Sequence, residues 1–183
     1  MAEPSRPIPI GSIIGAVGGL VFVLVNAAEV PGTLVWRILA ALGFLAVIAV
    51  AVIRRTAPGA GPPSRTAMRT YGICVAAMAL AIPVGASLLT NALSLPQLVL
   101  PWVVFVVGAH FLPFASAFRL PVFRWLALCL MLVGVAGAIG ALVTGSAASA
   151  GWTGVTAGFV LLLFSALGPW MQPSPDTERH NIG

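Results

Sequence analysis

From Ile8 to Met171 the chain consists of six apolar runs of about twenty residues each, and runs of that length leave it few ways to fold. A helix rises about 1.5 Å per residue, so roughly twenty residues cross the ~30 Å hydrocarbon layer of a bilayer. The runs lie at Ile8 to Ala28, Thr33 to Ile53, Tyr71 to Thr90, Pro96 to Phe114, Val122 to Thr144 and Gly151 to Met171. Stretches such as LGFLAVIAVAVI are apolar on every side. A barrel strand would alternate polar and apolar residues, whereas continuous apolarity suits a helix whose backbone bonds close internally. The composition agrees: 60% of residues are hydrophobic and 7% charged, against about 25% charged in an ordinary soluble domain. The expected fold is therefore an all-α membrane bundle of six transmembrane helices. Residues 1–172 form its single domain and residues 173–183 a short cytoplasmic tail.

Arg6 before the first run and Ala27 and Ala28 after it have the outline of a secretory signal. The run is long for a signal's hydrophobic region and carries a packing pattern, so it reads as a retained span.

The net charge of +5 comes entirely from arginine. Arg54, Arg55, Arg65 and Arg69 fall between spans two and three, and Arg119 and Arg124 between spans four and five. The links TNALSLPQ and TGSAASAG, after spans three and five, hold no charge. By the positive-inside rule the arginine-bearing links are cytoplasmic, and both termini with them. The basic residues set topology and meet anionic headgroups, and no nucleic-acid partner is implied. The link RRTAPGAGPPSRTAMR reads as a flexible cytoplasmic loop. The expected location is a bacterial plasma membrane, crossed several times.

Small residues recur at four-residue spacing. Gly11, Gly15 and Gly19 do so in span one, Ala77, Ala81 and Gly85 in span three, and Ala150, Gly154 and Gly158 in span six. Such stripes let helix backbones approach closely. They serve packing within the bundle, or self-association between copies. Gly11, Gly15, Gly19 and Trp36 recur 66 positions later as Ala77, Ala81, Gly85 and Trp102. With Trp152 closing a third outer turn, this pattern suggests three helical hairpins of one design. Trp36, Trp102 and Trp152 fall near the outer surface and Trp125 and Trp170 near the inner one, where indole N–H groups meet headgroups.

Absences narrow the chemistry. With no lysine, a Schiff base cannot form. Glu3, Glu29, Asp176 and Glu178 all lie away from a bilayer midplane, which counts against an ion-coupled carrier. Two cysteines and two histidines at scattered positions give no zinc or haem spacing. No phosphate loop or nucleophile elbow is present. No cofactor is implied. Cys74 and Cys129 lie in cytoplasmic halves of their spans, where thiols stay reduced.

The remaining polar residues form two layers. The outer layer holds Asn26, Glu29, Arg37, Thr90, Asn91, Gln97, Thr144 and Ser146. Glu29 and Arg37 flank the first outer turn and invite an ion pair; Asn26, Glu29, Arg37 and Asn91 are candidates for the rim of an outward-facing solute pocket. Solvated helix ends are the simpler reading. The inner layer holds Tyr71, Cys74, His110, Cys129 and Ser165. Pro113 cannot donate to the carbonyl of Ala109 and frees the helix beside His110. His110 then either bonds neighbouring helices or acts as a base toward Cys129 or Ser165.

The string HFLPFASAFRLP, after PWVVFVVGAHF, resembles a signature of small uncharacterised bacterial multi-span membrane proteins with an H-F-x-P motif after the fourth span. The resemblance covers residues 96 to 125. It implies a shared fold and supplies no catalytic residue. The reading of the whole is a structural or accessory membrane component whose partner is the lipid bilayer. A carrier of small uncharged solutes or lipids is the first alternative, and an intramembrane enzyme using His110 with Cys129 or Ser165 the second.

Overall fold

The computed structural model describes residues 10–53, 65–117 and 120–168. The described residues are helical apart from short turns, with no strand among them. Six helices follow in order: α1 (Ile10–Asn26), α2 (Thr33–Ile53), α3 (Arg65–Ser87), α4 (Val99–Ala117), α5 (Pro121–Thr144) and α6 (Ala147–Leu167). All six are long and apolar enough to cross a membrane, as expected of a polytopic membrane protein.

Boundaries shift where apolarity and helicity part company. α3 begins at Arg65, inside the segment expected to be loop, and continues through a π-helical turn at Leu88–Ala92. Arginine is a good helix former, so the helix outlasts the apolar run. α6 begins at Ala147, four residues before the expected Gly151, because Ser146 caps it by accepting from the Ser149 N–H. A 3-10 turn at Pro96–Leu98 precedes α4. Gly145, at φ +62°, closes α5 in the left-handed conformation that glycine adopts without strain. The tail at 173–183 and residues 54–64 of the long link lie outside the described residues.

α6 is the hub of the bundle, packing on α1, α2, α4 and α5. Val155 and Leu162 join Ala16, Val23, Ala40 and Val47 on one side of α6. Ala157 and Leu161 join Val104, Leu126 and Leu130 on another. Half of α6's most apolar stretch is buried, whereas none of α3's is. The principal neighbour of α3 is α4.

Glycine makes the α1–α6 contact possible. A Cβ on Gly19 would lie 2.7 Å from the Gly158 carbonyl oxygen, and one on Gly158 would lie 2.6 Å from that of Gly19. Ser165 Oγ occupies the space a Cβ would need on Gly15, and the Asn26 side chain fills that space at Gly154. Near the turn, the Cβ of Glu29 lies 2.6 Å from where a Gly151 Cβ would be. Residue numbers rising on α1 meet numbers falling on α6, so the two helices are zipped antiparallel. Gly108 and Gly134 do the same between α4 and α5, each against the partner's backbone. Gly11, expected on the packed face with Gly15 and Gly19, has no neighbour among the described residues within 4 Å of where its Cβ would be.

The 66-residue offset does not carry over into packing. Gly19 meets the backbone of Gly158, whereas Gly85 lies under the ring of Trp102. Trp36 donates to Pro31 O at 3.0 Å and packs edge-on against Trp152, while Trp102 donates to Ala81 O at 3.0 Å.

Candidate functional site

His110 occupies the fourth turn of α4, in the H-F-x-P string that lies within that helix. Its Nδ1 is 2.7 Å from Val107 O, one turn back on the same helix. A carbonyl only accepts, so Nδ1 carries the proton and Nε2 is left as an acceptor. The Ala109 carbonyl, which Pro113 cannot serve, is not the group His110 binds. The ring stands 4.3 Å from Phe111 and 5.0 Å from Phe114, centroid to centroid. Phe114 stacks on Tyr71 of α3 and Phe111 on Phe123 of α5, so His110 borders an aromatic cluster that joins three helices.

The expected partners stand elsewhere. Cys129 and Cys74 are half-buried free thiols on α5 and α3. Ser165 is buried on α6 against Gly15 of α1. His110 forms no hydrogen bond with Cys129 or Ser165. Among the described residues no group of three or more His, Cys, Asp or Glu could hold a metal ion.

The outer candidates divide between two places. Asn26 donates to Phe22 O at 2.8 Å while its side chain covers Gly154. Arg37 Nη2 donates to Leu24 O at 3.1 Å. Glu29 and Arg37 do not form the expected ion pair. The stem of Glu29 is directed at Gly151 of α6, whereas Arg37 reaches back along α1. Asn91 belongs to the π turn after α3 and donates to Ser87 Oγ at 3.1 Å. It stands with α3, apart from the α1–α2 turn.

Comparison with known proteins finds no matching protein-family model, no similar curated protein and no similar solved structure.

Two shallow depressions lie on the surface of the described residues, and both are open grooves. One follows Pro83 to Ala92 along α3; the other runs between Gly43 to Val50 of α2 and Phe159 to Ala166 of α6 and is lined by apolar residues. Neither has a charged residue in its lining.

Two features were missed in the sequence. One is the Trp102 latch, in which the indole ring covers Gly85 and its N–H reaches Ala81 O. The other is a hydroxyl cluster at the α5–α6 turn, where Thr144 Oγ1 lies 2.6 Å from Ser149 Oγ and Thr153 donates to Ser149 O at 2.9 Å. Both had a signal. Gly85 and Trp102 fall together in the 66-residue repeat, where Gly85 reads as a packing position and Trp102 as a headgroup anchor rather than as partners. Ser149 and Thr153 fall one and two turns beyond the glycine that ends α5.

Proposed function

We propose that the protein is a structural or accessory component of a membrane, most naturally a bacterial plasma membrane, with both termini on the cytoplasmic side. One observation carries this reading: α6 sits at the centre of the bundle and is closed onto α1 by glycine backbone contact, so the space a permeation path would use is occupied by helix. Six spans put both chain ends on one side, and the arginines of the even-numbered links favour the cytoplasmic one. The exposed apolar faces of α2 and α3 suit the lipid bilayer, and self-association of copies through small-residue faces belongs to the same reading.

The carrier reading asks for a polar path and the enzyme reading for a base aimed at a nucleophile. The first finds one apolar groove and one whose polar lining is Ser87 and Asn91 alone, both open and uncharged, and the second a histidine bonded to its own helix. Glycerol entry into proteoliposomes tests the choice. Vesicles carrying the protein should shrink and refill at the rate of protein-free vesicles. Faster refilling would establish a carrier.

A further inference from the structure

Arg37 lies in the first turns of α2 with its side chain exposed. Its Nη2 is tied to Leu24 O, two residues from the end of α1, which places the guanidinium about 3 Å of helix rise inside that end. A guanidinium has five N–H donors in a planar fork, and this bond engages one of its nitrogens. Glu29 is the one carboxylate side chain among the described residues, and it makes no ion pair with Arg37. In a membrane, a cation in the first turns of a spanning helix lies within reach of the headgroups, whose phosphates are the anions nearest to it. Planar forks match phosphate oxygens in pairs.

The surface below Arg37 is apolar. Ala41 and Leu45 follow at four-residue spacing on the same face of α2 and are exposed. On α1, Val21 and Val17 are exposed along the row that leads down from Leu24.

We propose that Arg37 binds the phosphodiester of a membrane glycerophospholipid in the leaflet at the α1–α2 turn, with an acyl chain lying along Val17, Val21, Ala41 and Leu45. The Leu24 carbonyl holds the guanidinium in place, so its remaining donors meet the phosphate without first losing side-chain freedom. The proposal rests on the membrane reading and on neither the orientation nor the accessory role.

The test uses the full chain in proteoliposomes with phosphatidylglycerol bearing a diazirine on its acyl chain, read by mass spectrometry of crosslinked peptides. Crosslinks should gather on α1 and α2 around Val21 and Leu45. R37Q should weaken them about fivefold, the factor that goes with one basic residue at an anionic surface. R124Q, at the opposite end of the bundle, should leave them unchanged. Diacylglycerol with the same diazirine should give no such focus on the wild-type protein, a comparison that holds even if R37Q does not fold. Unchanged crosslinking in R37Q, an equal focus from diacylglycerol, or displacement by inorganic phosphate would each overturn the lipid phosphate site. Release of the protein by alkaline carbonate would instead remove the membrane reading on which the site rests.

Discussion

His110 illustrates how little a polar residue in an apolar helix reveals about its purpose. Its spacing from Pro113 pointed to a freed carbonyl, yet the imidazole satisfies itself on Val107 O within its own helix. A bond of that kind ties no second helix. His110→Gln should therefore fold as the wild type does. His110→Leu should lose no more than about 1 kcal/mol in thermal unfolding in detergent, since its neighbours are aromatic rings that accept an apolar side chain. A loss several times larger would mean that the ring bridges helices after all. Cys129, with no hydrogen bond from His110, should alkylate at the slow rate of an ordinary membrane-embedded thiol. Rapid alkylation near neutral pH would revive the base reading.

At the scale of helices, a glycine matters only where a neighbour touches it. Gly19→Leu would drive a side chain into the Gly158 backbone, and overpacking of a close contact costs about 1–3 kcal/mol or more. Gly11→Leu would place its Cβ where no described neighbour lies within 4 Å and should leave the melting temperature unchanged. A melting comparison of the two variants in detergent separates a packed face from a lipid-facing one; equal losses would contradict the α1–α6 contact. Trp102→Phe should cost about 0.5–1.5 kcal/mol by removing the indole bond to Ala81 O, with faster hydrogen exchange confined to α3. The four-residue spacing made Gly15 and Gly19 legible as packing positions. It could not distinguish them from Gly11, because the stripe is periodic in sequence while the facing helix covers only part of it. The apolar runs gave five of the helices to within a few residues at each end. They missed the start of α3, since the requirement to cross hydrocarbon ends before the helix does. Of the candidate site, Arg37 was legible as an unusual charge, but its partner was not. Whether it meets Glu29 or Leu24 O depends on how α2 is rotated against the end of α1, which no local pattern records.

For the whole molecule, the proposed orientation predicts that single cysteines at Ser94 and Ser149 react with an impermeant thiol reagent outside sealed cells and that one at Gly61 does not. Labelling at Gly61 would reverse the topology while leaving the packing intact. The arrangement itself has α6 at the centre, closed onto α1 along its length. It is tested most directly by a disulfide. An ideal Cβ on Gly15 lies 3.7 Å from the Cβ of Ser165, within the ~3.5–4.5 Å that a disulfide spans. In a chain with Cys74 and Cys129 replaced by serine, Gly15→Cys with Ser165→Cys should oxidise to an intramolecular bond, holding the α1 and α6 fragments together after proteolysis and separating on reduction. Paired with Ser165→Cys, Gly11→Cys should not crosslink. Free thiols in the first pair under oxidation, or equal crosslinking in both, would contradict the antiparallel closure of α1 on α6.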